Sequence, residues 1–306
     1  MTRQLDRLTL LSTFVRIAER GSITAAAQDL GMSQASASRQ LSDLEKRLGT
    51  KLIHRTTHNL ALTETGEETL AHAYELLTGW EALAEKFDEE TGTLSGPLKI
   101  VAPVALGQTC LSTAALVFQK AHPDVSITWL LDDAPLRFAE TGCDLWIRIG
   151  QPDDDTLITQ EVGEVERLIV AAPALTGGKR LRHPDQLKPL PCAALGLFEG
   201  GSIPLRHKKR QETIVTARTA IVTNNIFTAR DAARQSVGYA VMPRWFVEDD
   251  LENGTLLDVL PSWRASSLTI TASFLPSSRQ TRRLRAILAH LVTAIQKTNG
   301  IASVQT

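Results

Sequence analysis

The sequence predicts a mixed α/β protein preceded by a small all-α head and one long helix. Three observations predict it. Up to about Thr63, apolar residues recur with helical spacing and are punctuated by Gly and Ser. From there to about Glu90, apolar residues recur every seven positions without interruption. Beyond a boundary at 91–97 that holds Gly, Ser and Pro, short β-branched runs alternate with helical ones.

Composition narrows the function classes. The 306 residues carry 33 Lys and Arg against 34 Asp and Glu, so any nucleic-acid signal has to be local. It is: residues 1–62 hold nine bases and five acids, a net of +4, and the following helix is acidic. No apolar run approaches the roughly 18 residues of a membrane span. Leu8, Leu11, Val15 and Ala18 mark an amphipathic first helix interrupted by Arg16 and Arg20, unlike a secretory signal. Cys110, Cys143 and Cys192 form no CxxC pair and are odd in number, so a reduced, cytoplasmic chain is expected.

In the head, Gly21 ends the first helix and Ser22 is positioned to cap a second that runs to Leu30. Gly31 follows where a left-handed residue closes a helix, and Ser33 caps a third. Two helices joined by a short Gly-containing turn have the spacing of a helix-turn-helix. Ala25, Ala26 and Ala27 let the second helix approach the third closely. On the third, Ala37, Leu41, Leu44 and Leu48 form the expected buried stripe. The opposite arc carries Ala35, Ser38, Arg39, Ser42 and Lys46. Short hydroxyls allow close approach there, and arginine pairs bidentately with guanine in a major groove. Ser33, Gln34 and Ser36 lie in the first turn, the end that meets bases in such motifs. After Gly49, Leu52 and Ile53 lead to His54-Arg55-Thr56-Thr57-His58-Asn59, then Leu60 and Leu62 alternate with polar residues. This predicts a two-stranded wing with Arg55, Thr56 and His58 near its tip. Double-stranded DNA is the partner this head predicts.

Thr63 caps the long helix. Leu70, Leu77 and Ala84, with Ala73, Trp80 and Phe87, occupy heptad positions a and d, the pattern of a helix that pairs with a second copy. A helix lying on its own domain is the competing reading. Beyond the boundary, strands are expected at 98–102, 126–131, 145–149, 168–172, 220–222, 239–242 and 268–274. Helices are expected at 109–122, 227–236 and 281–297. The alternation predicts α/β layers with a parallel core, whose ligands sit at strand carboxyl ends and helix N-termini.

Residues 14–66 resemble the winged helix-turn-helix of LysR-type transcriptional regulators. "GPLKIVAP" (96–103), "AHPDVSI" (121–127), "DLWIRIG" (144–150), "GYAVMP" (238–243) and "LENGTLLDVL" (251–260) follow in the order that family shows. The resemblance implies a winged helix (1–63), a linker and dimerisation helix (64–92) and a periplasmic-binding-protein-like effector domain of two α/β lobes (97–306). Lobe I would comprise about 97–166 and 265–300, and lobe II about 167–264, with crossings near Arg167 and Arg264. It also implies a small-molecule effector between the lobes and a homodimer or dimer of dimers, with no cofactor, metal or catalytic residue. The cleft residues this suggests are Pro103, Val104, Ala105, Thr109, Arg148, Phe198, Gly200, Ser202, Asn225 and Pro243. The helix N-termini near Val104 and Asn225 are candidate anion cradles. The chain departs from the family at Ala35, where proline is frequent, and at His58 and Asn59, where arginine is. It also places no hydroxyl before Thr109 in the segment that often holds an effector carboxylate.

Other readings are weaker. His54 and His58 have metal-pair spacing only if helical and lack a third ligand. The run 152–156 has three aspartates without a calcium-loop pattern, and 206–210, the densest basic run, reads as a turn or hairpin, with an anionic effector or a secondary DNA contact as the alternative. A solute-binding protein would need export. An enzyme would need a motif that the chain lacks: Gly177-Gly178-Lys179 is followed by Arg180, not by Ser or Thr.

Overall fold

In the head, α1 (Arg7–Arg20) is packed by α2 (Ile23–Asp29) and α3 (Gln34–Leu48) on one side and by α4 (Glu64–Phe87) on another. This computed structural model describes residues 6–55, 60–87, 93–136, 138–196, 202–208, 212–276 and 281–303. Thr56, His58, Phe198 and Gly200 lie outside them. The buried face of α1 is Leu10, Thr13, Phe14, Val15 and Ile17, so of the expected stripe Val15 is buried whereas Leu8, Leu11 and Ala18 are only half-buried. The buried face is broader than the expected stripe and rotated from it, because α1 is packed by α4 as well as by α2 and α3. Burying side chains such as Phe14 and Leu41 contributes about 1.5–3 kcal/mol each.

The caps form as expected. Ala25 N donates to Ser22 Oγ (3.3 Å), and Ser36 N donates to Ser33 Oγ (3.2 Å). Gly31 adopts φ +62°, a conformation that costs a side-chain-bearing residue roughly 1 kcal/mol or more. Ala37, Leu41 and Leu44 are buried, but Leu48 is 49 % exposed because the last turn of α3 extends past the core. The wing is an antiparallel pair, β1 (Ile53–Arg55) and β2 (Leu60–Leu62), with Ile53 opposite Leu62.

In the effector half, β3 (Gly96–Ala102) leads through α5 (Val104–Leu106), a π-helical turn (Gly107–Leu111) and α6 (Ser112–Ala121) to β4 (Val125–Leu131). Then α7 (Phe138–Thr141) precedes β5 (Leu145–Ile149). Both β4 and β5 pair with β3 in parallel. The chain leaves this lobe on the 14-residue β6 (Ile158–Ala171). The second lobe follows with α8 (Pro173–Thr176), β7 (Pro191–Leu195), β8 (Ser202–His207), β9 (Glu212–Thr216) and β10 (Arg218–Thr223). It is completed by α9 (Ile226–Arg234), β11 (Ala240–Pro243), α10 (Glu248–Glu252) and β12 (Leu257–Asp258). The chain returns on β13 (Trp263–Phe274), antiparallel to β6, and ends with α11 (Arg282–Lys297) and β14 (Ile301–Ala302).

Two features differ from the sequence expectation. The main sheet is mixed: among its described strands β3 runs parallel to β4 and β5 while the other pairings are antiparallel, and β7 and β10 form a separate parallel pair. Strands that leave and re-enter a lobe run in opposite directions, so β6 and β13 pair antiparallel. The short strands β7, β8 and β9 went unforeseen, although β8 and β9 form the hairpin expected around 206–210. One core cluster joins β3, β5, α6 and α11, and two others lie in the second lobe, so each lobe carries its own core. Among the described residues no helix is long and apolar enough to cross a membrane.

Candidate DNA interface and effector cleft

The outer face of α3 is set by what its inner face holds. Gln40 is buried: Thr13 Oγ1 of α1 donates to its Oε1 (2.6 Å), and its Nε2 lies 3.7 Å from Met32 Sδ. Glu45 is also buried and accepts from Leu52 N (3.1 Å) and Lys51 Nζ (2.6 Å), tying α3 to the start of the wing. With α3 clamped at both points, Ser33, Gln34, Ala35 and Arg39 are exposed, and Ser36, Ser38 and Ser42 are half-buried beside them. Arg39 makes no ion pair among the described residues. Lys46 faces Asp43 at 3.9 Å. Arg55 ends β1, so it enters the wing beyond the clamp. Gln40 and Glu45 escaped the sequence reading, since polar residues on a helix are ordinarily assigned to solvent.

Along α4, the heptad positions divide. Leu70 and Ala73 are buried in the head's own core, with Leu77 half-buried against it. Trp80 is 55 % exposed, Ala84 is exposed, and Phe87 ends the helix. Among the described residues of α4 the large apolar side chains left uncovered are Leu76 (57 %), Trp80 and Leu83 (46 %), spaced i, i+4, i+7 on one face. The seam read from the sequence is therefore corrected at its N-terminal end, where α1 already covers Leu70 and Ala73. The other flank of α4 meets the effector half. Tyr74 and Thr78 line a crevice with Phe138, Gly142, Cys143, Asp144 and Leu275, and Tyr74 Oη donates to Glu19 Oε1 (3.0 Å). Glu81 pairs with the buried Arg283, whose Nε donates to Pro97 O (3.0 Å).

Between the lobes lies a cavity lined largely by apolar side chains, among them Pro103, Ala105, Ile149, Ile226, Pro243 and Trp245. Its polar lining is Asp133, Arg167 and Asn224. A smaller recess that shares Pro103, Asp133 and Ile149 adds Asp132, Trp146 and Arg148. Pro103, Ala105, Pro243 and Arg148 of the expected cleft set are thus brought together. The guanidinium of Arg148 stacks over Trp146, 4.6 Å from the ring centre. Burial lowers the Arg148 pKa, against Asp153, which raises it.

Four expectations change. Thr109 is exposed in the π-helical turn and donates to Ala105 O (2.8 Å), away from the cavity lining. Ser202 is exposed at the start of the β8–β9 hairpin. Asn225 does not hold the α9 N-terminus open: its Oδ1 accepts from Phe227 N (3.0 Å) and Thr228 N (3.2 Å). Val104 N donates to Asp133 Oδ1 (3.0 Å), so the other proposed anion cradle already holds a carboxylate. Both N-termini are capped from within because unpaired amides in a half-buried site are costly. Asp133 went unnamed in the sequence reading and Arg167 entered it only as a crossing between the lobes, since only the folded chain brings positions so far apart together; Trp245, whose sequence reading was core or cleft-lining, lines the cavity. Cys143 and Cys192 are buried, and burial pushes the Cys143 thiol up, away from reactive thiolate.

Comparison with known proteins agrees with this architecture. Residues 8–67 match the bacterial regulatory helix-turn-helix protein model of the lysR family, and residues 91–296 match the LysR substrate binding domain. The regulator PtxR of Pseudomonas aeruginosa is 30 % identical over 301 residues, covering 95 % of each chain. The probable regulator LtrA of Klebsiella pneumoniae is 27 % identical over 302 residues, covering 97 % of each. A full-length OxyR variant from Pseudomonas aeruginosa shares the fold, with a TM-score of 0.74 at 18 % identity over 99 % of this chain and 100 % of that one. A capped recognition helix with a wing, a linker helix and a two-lobed domain around a cleft thus come together in one chain, which belongs to the LysR family of helix-turn-helix transcriptional regulators.

Proposed function

We propose that this chain reads duplex DNA through the exposed arc of α3, with Arg39 as the principal base or phosphate contact. Ser33, Gln34, Ala35, Ser36, Ser38 and Ser42 form the surrounding surface, and Arg55, Thr56 and His58 contribute from the wing. The carrying observation is the exposure of Arg39, without an ion-pair partner among the described residues, opposite a stripe clamped by Gln40 and Glu45. The chain divides into 1–63, 64–92 and 97–306, with crossings between the lobes at Arg167 and Arg264. Two copies pair through Leu76, Trp80 and Leu83, which puts two recognition helices on a twofold axis and implies half-sites about one helical turn apart. Leu116 and Val117 on α6, and Val222 and Val237 in the second lobe, are exposed apolar residues that suit further contact between copies. A small molecule seated in the interlobe cavity favours one lobe arrangement and so biases DNA binding. The protein is a cytoplasmic regulator and catalyses no reaction.

Gel-shift titration against fragments of the source genome tests this reading. Arg39→Ala should weaken binding at the specific site by about 1–3 kcal/mol. Unchanged affinity in that variant, or a parent protein that binds no fragment at low salt, overturns it.

A further inference from the structure

Tyr74, Thr78 and Glu81, spaced i, i+4, i+7, meet the first lobe from the face of α4 opposite Leu76 and Leu83. Tyr74 fits where the lobe has no side chain. Gly142, just past α7, has φ +58°, and a Cβ built on it would lie 1.9 Å from Tyr74 Cζ and 2.2 Å from its Oη. The aromatic ring therefore rests on the backbone of the lobe itself. That backbone is tied to β3 on both flanks. Lys99 Nζ donates to Thr141 O (2.5 Å), Lys99 N to Asp144 Oδ2 (2.7 Å) and Asp144 N to Lys99 O (2.8 Å). On its other side, Tyr74 Oη donates to Glu19 Oε1 (3.0 Å) of α1, and Arg16 holds Glu19 in turn (3.1 Å). Burial, with the Glu19 carboxylate beside it, raises the pKa of the phenol, so it stays a donor at neutral pH. Two turns further along α4, Glu81 and Arg283 clamp the same face.

This joint has an extension at each end. The chain runs from Lys99 along β3 to Pro103, and from Asp144 along β5 to Ile149, and both Pro103 and Ile149 line the interlobe cavity. Within the head, Thr13 of α1 donates to Gln40 of α3. Strands, ring, helices and side-chain bonds thus form a contiguous series from the cavity wall to the recognition helix, the kind of network that carries coupling free energy.

We propose that Tyr74 is a coupling residue: seated on Gly142 and bonded to Glu19, it transmits the position of the first lobe to the head of the same chain. As a route of regulation this rests on the proposed function, in which the cavity holds the effector and α3 reads DNA. The coupling of head to lobe stands without either.

Hydrogen exchange read by mass spectrometry on the full chain, with neither DNA nor effector added, tests the coupling in both directions. Glu19→Ala, an exposed change in the head, should speed exchange at 138–145 in the lobe by at least about threefold, because the ring loses the bond that steadies it. Glu19→Gln keeps an acceptor and should leave that segment as in the parent. Tyr74→Phe should reproduce the effect of Glu19→Ala there, and combining the two should add nothing, since both act through one bond. From the other side, Gly142→Ala displaces the ring and should speed exchange in α1 around Glu19 by at least about threefold. If that variant does not fold, Glu19→Ala and Tyr74→Phe decide the question. Exchange changes confined to the half of the molecule that carries the substitution overturn the proposal. So does a Glu19→Ala effect on the lobe that persists undiminished beside Tyr74→Phe. Coupling found in a protein that binds no genome fragment upholds the role of Tyr74 and overturns the regulatory reading.

Discussion

Gly66, in the first turn of α4, sits where a side chain has no room. A Cβ there would lie 2.0 Å from Leu52 O, the carbonyl that also accepts from Thr63 N (3.0 Å). Thr63 fixes the same corner, donating through Oγ1 to Lys51 O (2.7 Å) and accepting from Gly66 N (2.9 Å). The crossing of wing and linker helix is thus set by backbone packed on backbone, which cannot move aside as a flexible side chain would. Gly66→Ala should destabilise the head by about 1–3 kcal/mol in urea unfolding, and an unchanged midpoint would show that this corner relaxes freely. At this scale the sequence showed Thr63 as a cap but gave no sign that Gly66 was needed, because the close approach is to a residue on a different element. The exposure of Arg39 was legible for the opposite reason: it follows from the angle Arg39 makes with Leu41 and Leu44 on one helix.

Among the elements, α4 carries two tasks along one length. Its N-terminal turns complete the head's core through Leu70 and Ala73, and its middle turns expose Leu76, Trp80 and Leu83. A heptad repeat records that a helix is apolar along a seam, but it does not say which neighbour covers each turn. That explains why the spacing identified the helix while misplacing the start of the seam. Replacing Leu76 and Trp80 together by Ser should weaken self-association by about tenfold or more, as expected for loss of two central apolar anchors. Light scattering across a dilution series reads this, and an unaltered assembly would place the contact elsewhere. Leu70→Ala should act differently, lowering stability by about 2–5 kcal/mol as a core truncation does, without selectively loosening the assembly.

For the whole molecule, the junction between linker helix and effector half carries a titratable group. Asp144 is pushed up to about 6, chiefly by burial and also by Glu81, while Lys99 N, Arg283 and Lys99 oppose the shift. Its Oδ2 accepts from Lys99 N (2.7 Å), and Tyr74 of α4 lines the crevice beside it. A carboxyl whose folded pKa is raised binds protons more readily folded than unfolded. Its contribution to stability is therefore full below about pH 4, falls as pH rises to about 6, and is level above. Asp144→Asn retains an acceptor and removes the titration. Between pH 4 and 7 the stability of the variant relative to the parent should rise by about 1–2 kcal/mol in denaturant unfolding. Equal pH profiles for the two proteins would remove Asp144 from the junction's energetics.

The sequence by itself determined the order of the parts, the caps at Ser22 and Ser33, the outward arc of α3 and the long helix after Thr63. Each is a periodicity or a cap signal contained within one element, so it survives without knowledge of neighbours. Tertiary structure alone decided which turns of α4 face the head, that the effector sheet is mixed, and that Asp133 closes the amide at Val104. Those outcomes depend on groups that are distant in the chain and adjacent in space, such as Val104 and Asp133 across two strands. Local pattern carries no record of such encounters, because it is the packing of whole elements that brings them about.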